Sequence, residues 1–218
     1  MLEAILFDLD GTLVNSDPIH FTIWQELLAN YGYDIDHTFY RRRISGRVNE
    51  DILQDLLPQL TPAEVAQFAW DKEATFRQRG TDLTRLAGLD SMLAWIQEQG
   101  LKAAVVTNAP KENAYFMMDA LNLRNELPVL ILAEEAPPGK PDPAPYLLAL
   151  QQLDVNSRNA IAFEDSPSGI RAAVAANLFT YGVASGHTPE RLRDFGAHDV
   201  IYNFTDTHLW TALTQRLS

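Results

Sequence analysis

Two aspartates one residue apart, Asp8 and Asp10, follow the short apolar run Ala4–Phe7 and lead into Gly11 and Thr12. Three more polar groups also follow apolar segments: Thr107-Asn108, Lys140 within the Gly139-Lys140-Pro141-Asp142-Pro143 turn that comes after Val129–Leu132, and Glu164-Asp165-Ser166. Carboxylates gathered in one place repel one another unless a cation offsets them. An oxygen-only ligand set without His or Cys suits Mg²⁺, which binds through one or two carboxylates plus a substrate phosphate. A lysine and a threonine hydroxyl beside it would hold the remaining phosphoryl oxygens. One aspartate can then attack phosphorus to give an aspartyl-phosphate, with the aspartate two residues later as general acid/base. Neither a Gly-rich dinucleotide turn nor a Lys-Ser/Thr nucleotide loop is present. Taken singly, each group has a plain reading: a turn-and-cap pair, a loop lysine, a strand-exit turn, an N-cap box. Their order, each after a strand, is what the plain readings leave unexplained.

The elements that must position these groups alternate strand and helix. Strands are expected at Ala4–Phe7, Lys102–Val106, Val129–Leu132 and Asn159–Phe163, and weaker ones at Thr180–Val183 and Asp199–Ile201. Helices are expected at Leu89–Gln99, Lys111–Leu121, Pro143–Leu153, Ser168–Ala176 and Asp206–Leu217. This rhythm predicts an α/β fold, a doubly wound, Rossmann-like parallel sheet, whose reactive groups collect outside the carboxyl ends of the strands. Residues 15–85 break the rhythm. Asp17-Pro18 reads as an N-cap and first helical residue, Asn49 as a cap, and Thr61-Pro62-Ala63-Glu64 as a capping box, with no convincing strand between. An all-α insert over 15–85, within a core of 1–14 and 86–218, is the expected organisation.

The 218 residues suffice for one α/β domain with an insert, and the folded chain should bury roughly 70% of its unfolded surface. There is no cysteine, which excludes disulfides, thiolate metal sites and cysteine nucleophiles. The longest clean apolar run, Leu127–Ala133, is strand-sized, against roughly 20 residues for a membrane span. No basic, cleavable leader opens the sequence, so a cytoplasmic protein is the expectation. Seventeen basic against 29 acidic residues give a net charge of −12, which disfavours nucleic acid as a partner. Only four lysines occur, Lys72, Lys102, Lys111 and Lys140, so one at a special turn is less easily background.

Asp8-Leu9-Asp10-Gly11-Thr12-Leu13, Thr107-Asn108, Lys140-Pro141-Asp142-Pro143 and Glu164-Asp165-Ser166 together resemble, in order, the four motifs of the haloacid dehalogenase superfamily of phosphotransferases. The insert is similar to that family's small helical cap, near the phosphoglycolate phosphatases, sugar-phosphate phosphatases and β-phosphoglucomutases. The resemblance implies Asp8 as nucleophile and Mg²⁺ ligand. It implies Asp10 as acid, then base, and as a metal ligand through its carbonyl. Thr107 and Asn108 would contact the phosphoryl group, and Lys140 would neutralise nucleophile and phosphate. Asp165 would bind Mg²⁺ directly, with Glu164 in or beside its water shell.

For the insert, the resemblance implies substrate contacts from His20 and from the loop Ser45–Glu50, with Arg47 suited to a sugar hydroxyl or second phosphate and Asn49 beside it. Asn49, Thr107-Asn108 and Thr12 depart from the mutase pattern and point to a hydrolase; His20 points the other way. The expectation is a Mg²⁺-dependent phosphatase of a small phosphorylated metabolite, a sugar phosphate or phosphoglycolate, acting as a monomer or weak homodimer without nucleic-acid or membrane partners. A phosphosugar mutase and a catalytically silent phosphate-binding protein remain the alternatives.

Overall fold

The computed structural model describes residues 1–45 and 47–217. Gly46, within the loop singled out above, lies outside the described residues. The chain divides into two compact units: residues 1–15 with 83–218, and residues 16–82. Residues 83–85 thus go with the first unit, where a β-bridge ties Arg85 to Val14 and the Leu86 amide donates to the Leu13 carbonyl.

In the first unit, β1 (Ala4–Phe7) leads through the second unit to α5 (Leu89–Glu98) and β2 (Lys102–Thr107). Within the second unit lie α1 (Asp17–Ala29), α2 (His37–Arg43), α3 (Asn49–Leu56) and α4 (Pro62–Arg79). After β2 come α6 (Lys111–Ala120), β3 (Val129–Leu132), α7 (Ala144–Leu153), β4 (Ala160–Glu164) and α8 (Pro167–Ala175). The chain continues with β5 (Phe179–Val183), α9 (Pro189–Asp194), β6 (Asp199–Ile201) and α10 (Thr207–Leu217). All strand pairs are parallel, in the order β3-β2-β1-β4-β5-β6. The doubly wound fold expected from the sequence is therefore the fold observed.

The period of two in each strand sorts residues onto two buried faces. Ala4 and Leu6 of β1, with Ala104, Val106 and Ala162, pack under Tyr146 and its helix α7. The other face carries Phe7. Register sets Phe7 opposite Phe163 and Phe163 opposite Tyr181, so the three rings stack at centroid spacings of 5.4 and 5.1 Å. Phe204 closes the row edge-on. Each such ring buries enough apolar area to stabilise the unit by roughly 1.5–3 kcal/mol. The centre of the sheet is fully buried, and the candidate reactive groups follow directly from its strand ends.

The helical unit has its own core around Trp24, Leu28, Tyr40, Leu53 and Leu56, with Phe68 stacked on Trp24. Two caps differ from expectation. Ser16, not Asp17, precedes α1, because the Asp17 carboxylate accepts from the Tyr40 hydroxyl at 2.9 Å. Val48, not Asn49, precedes α3, because the Asn49 side chain is used elsewhere. The Thr61–Glu64 capping box forms as read, each residue satisfying the other's backbone amide. The short helices α2 and α9 lack a stripe long enough to be read in the sequence, and form where Asp36 and Thr188 cap them. No helix among the described residues is long and apolar enough to cross a membrane.

Candidate active site

Parallel register explains why the acids meet. Phe7 pairs with Phe163, so the next residues, Asp8 and Glu164, leave adjacent strands at the same level. The Asp8 amide donates to the Phe163 carbonyl at 2.9 Å, extending the ladder one residue beyond β1. Adjacent strands are roughly 4.8 Å apart, so two carboxylates at one level repel strongly. Lys140 answers them. Its Nζ donates to Asp8 Oδ1 at 2.7 Å, Glu164 Oε1 at 2.6 Å and the Val106 carbonyl at 2.6 Å. All three charged side chains are buried, Glu164 completely.

The lysine is delivered by the loop between β3 and α7, and Asn108 holds that loop. The Asn108 amide donates to the Lys140 carbonyl and its Oδ1 accepts from the Lys140 N–H, both at 3.0 Å. Thr107 ends β2 with its hydroxyl accepting from the Ala109 amide at 2.9 Å, which turns the chain sharply at the sheet edge. At the end of β4, Ser166 caps α8 by accepting from the Gly169 amide. The N-cap reading of Glu164-Asp165-Ser166 holds for the serine, and the two acids stand beside Asp8.

Electrostatics follow from this packing. Burial pushes the Asp8 carboxyl up to about 7; Glu164 and Asp10 add repulsion and Lys140 pulls it back. Burial works against the charge of Lys140, but Asp8 and Glu164 outweigh it and hold its ammonium above the usual lysine range. Tyr146, reaching from α7, donates its hydroxyl to Glu164 Oε1 at 2.6 Å, and burial followed by the Glu164 charge raises it well above the ordinary phenol range.

The donor set fits a hard cation. Asp8, Glu164 and Asp165 each offer an oxygen, all within 4.8 Å of one another, and no His or Cys is among them. Gly11 keeps this cradle open: its φ is +79°, and a Cβ there would lie 2.1 Å from Asp165 Oδ2. Asp10 belongs to the same turn, which closes through the Gly11 amide on the Val14 carbonyl.

Of the sequence-predicted residues, Asp8, Lys140 and Glu164 are in direct contact, Asp165 lies beside them, Asn108 holds the Lys140 backbone with its side-chain amide, and Thr107 precedes Asn108 at the end of β2. Asp10 sits in the Gly11 turn of the first unit, and the other three, His20, Asn49 and Arg47, belong to the helical unit. His20 stacks on Phe76 at 4.2 Å, and its Nδ1 lies within hydrogen-bonding distance of Lys72 Nζ, at 3.0 Å. Lys72 also donates to Glu73 Oε1 at 2.7 Å, and Asn49 Nδ2 donates to the same oxygen at 2.6 Å. Burial works against ionisation of Glu73, but Lys72 and His20 outweigh it and hold the carboxyl below the usual range. Arg47 is separate: it donates to Asp55 and to the Arg43 and Asp51 carbonyls, clasping the loop. Sequence reasoning missed Tyr146, Lys72 and Glu73. The scarcity of lysine was the one signal that could have raised Lys72; a tyrosine in an apolar helix carried none.

Comparison with known proteins agrees with this geometry. Residues 5–183 match the family model described as haloacid dehalogenase-like hydrolase. Validoxylamine A 7'-phosphate phosphatase of Streptomyces hygroscopicus subsp. limoneus is 31% identical, the match covering 89% of this chain and 91% of that protein. A β-phosphoglucomutase of Bacillus subtilis is 25% identical over 85% and 84% of the two chains. The crystal structure of CbbY from Rhodobacter sphaeroides in complex with phosphate superposes with a TM-score of 0.81 at 26% identity, covering 94% of this chain and 96% of that one. With the parallel sheet, the two acidic strand ends and the lysine that joins them, these matches make the chain a member of the haloacid dehalogenase-like hydrolase family.

Proposed function

We propose that the protein is a Mg²⁺-dependent phosphatase of a small phosphorylated metabolite, working through an aspartyl-phosphate on Asp8. The observation that carries this reading is the Asp8–Lys140–Glu164 contact at the level ends of β1 and β4. It supplies an oxygen nucleophile held against an ammonium before any substrate arrives. An Asp8 oxygen forms the new bond to phosphorus while the bond from phosphorus to the ester oxygen breaks. Asp10 gives its proton to that leaving oxygen. In the second half, Asp10 takes a proton from water as the water oxygen attacks phosphorus and the Asp8–phosphorus bond breaks, returning phosphate and free Asp8. Asp8, Asp165 and the Asp10 carbonyl would hold Mg²⁺, with Glu164 beside it. The ion, when bound, supplies positive charge against the transferring phosphoryl oxygens. Thr107 and the backbone around Asn108 offer further polar groups to those oxygens.

His20 and Asn49 are proposed to contact the substrate, within a cluster of the helical unit that includes Lys72 and Glu73; Arg47 serves its own loop. The charge of Lys72 is met by Glu73, and Asn49 supports the same carboxylate. A cluster balanced in this way suits neutral hydroxyls better than a second phosphate or a carboxylate. This favours a sugar phosphate over phosphoglycolate, and a hydrolase over a mutase that must hold a bisphosphate.

The experiment is phosphate release with Mg²⁺ across sugar phosphates, phosphoglycolate, nucleotides and pyrophosphate, with Asp8→Asn as control. Release from sugar phosphates that is lost in the control is the expected result. Interconversion of hexose phosphates on addition of a bisphosphate, without release, would make the protein a mutase.

A further inference from the structure

An ammonium has three N–H donors, and those of Lys140 face Asp8, Glu164 and the Val106 carbonyl. A phosphoryl oxygen can therefore receive a hydrogen bond from Lys140 only when one of these is released. Glu164 is the partner with a second strong donor. The Tyr146 hydroxyl reaches the same Oε1 at 2.6 Å, whereas the other carboxylate oxygen has only a long 3.5 Å contact from Ser166 Oγ. The Tyr146 ring also lies 5.2 Å from the ammonium, so it supports the cation through its π-face. Tyr146 and Glu164 are both fully buried, and Tyr146 stands on α7, packed against the sheet.

We propose that Tyr146 is a positioning residue: it keeps the buried Glu164 carboxylate hydrogen-bonded while Lys140 turns one N–H to the phosphoryl group. The inference rests on the phosphatase reading above. Without the phenol, release of Glu164 by Lys140 would leave a carboxylate of zero exposure short of its strong donors, and buried charged acceptors resist that change. Lys140 would then stay on Glu164 and serve the phosphoryl group poorly. Burial holds the phenol in its protonated form, so it is a donor throughout the working range.

The test is Tyr146→Phe, which deletes one oxygen and keeps the ring. With p-nitrophenyl phosphate and Mg²⁺, kcat is expected to fall about tenfold and KM to stay within about twofold, as for an interaction needed mainly in the transition state. An unchanged kcat in a variant that melts normally overturns the proposal. A second readout needs no turnover: the rise in melting temperature on adding Mg²⁺ with orthovanadate. The rise should be clearly smaller in Tyr146→Phe than in wild type; equal rises, or none in wild type, overturn the proposal. Comparing Glu164→Gln with the double variant separates hydrogen bonding from packing. If the phenol acts through the Glu164 charge, its loss matters little once residue 164 is neutral; the same penalty in both backgrounds would assign Tyr146 to packing alone. A wild type that shows the vanadate effect but hydrolyses nothing would sink the phosphatase reading while leaving the role of Tyr146 standing.

Discussion

Gly169→Ala sets two effects of opposite sign against each other. Gly169 sits in the first turn of α8, where alanine is ordinarily better than glycine by about 1 kcal/mol. A Cβ at this position, however, would lie 1.9 Å from Glu164 Oε2, 2.0 Å from its Cδ and 2.1 Å from Oε1. No side chain tolerates such distances, so Glu164 or the helix must move. Glu164 is pinned by Lys140 and Tyr146, each at 2.6 Å, and has no exposed surface into which to swing. Displacing it weakens two hydrogen bonds to a charged group, about 1.5–3 kcal/mol each, with overpacking strain of about 1–3 kcal/mol on top. Taking about 4 kcal/mol, the low end of that sum, and subtracting the helix gain leaves a net destabilisation of at least about 3 kcal/mol. For a chain of this size that is a fall in Tm of about 6–12 °C. Thermal and urea unfolding followed by circular dichroism measure it directly. The displaced Glu164 should also blunt the stabilisation that Mg²⁺ gives the wild type. A variant that melts at or above the wild-type temperature would show that helix propensity wins, and that Glu164 is not held where the hydrogen bonds put it.

Other outcomes follow from the same geometry. Metal binding needs the Asp8 carboxylate, whose proton is held up to about 7 by burial and by the repulsion of Glu164 and Asp10. Mg²⁺ affinity by calorimetry should therefore rise about tenfold per pH unit towards 7 and level off above it. The raised carboxyl favours the folded state only while protonated, so the metal-free protein should lose stability as pH climbs from the ordinary carboxylate range through 7; Asp8→Asn should flatten that slope. Lys140→Met strands two buried carboxylates and should cost about 3–5 kcal/mol in urea melts, part of it regained when Asp8→Asn is added. Glu73→Gln keeps an acceptor for Lys72 and Asn49 but removes the charge. Steady-state kinetics should show kcat/KM for phosphoglycolate rising relative to a hexose phosphate, and no change in the ratio would count against the cap assignment. Arg47 and Asp55 form an exposed pair, so Arg47→Ala should leave the melting temperature almost unchanged and KM within about twofold.

The fold and half of the site were legible in the chain because both depend on local order. Strand-sized apolar runs, each followed at once by polar groups, are one-dimensional patterns. A parallel sheet turns them into a line of reactive groups at one edge, whatever the side-chain details. Asp8, Lys140, Glu164 and Asp165 were readable for that reason. What each then bonds to was not. Asn108 reads as a phosphate contact, yet its amide is taken up by the Lys140 backbone. Asn49 reads as a helix cap, yet it turns to Glu73 across 24 residues.

The sequence by itself determined the parallel sheet, the helical insert and which carboxylates and lysine could gather at the sheet edge. Their spacing follows the period of the elements, and local propensity sets that period. Only the tertiary structure decided that Asp8 and Glu164 stand level, that Lys140 spends its donors on both and on a carbonyl, and that Tyr146 backs the arrangement. Those facts depend on strand register and on contacts between residues 18 to 132 positions apart, which no local pattern encodes. The charges of a buried site are settled by what stands next to them, and neighbours at that range exist only once the sheet has formed.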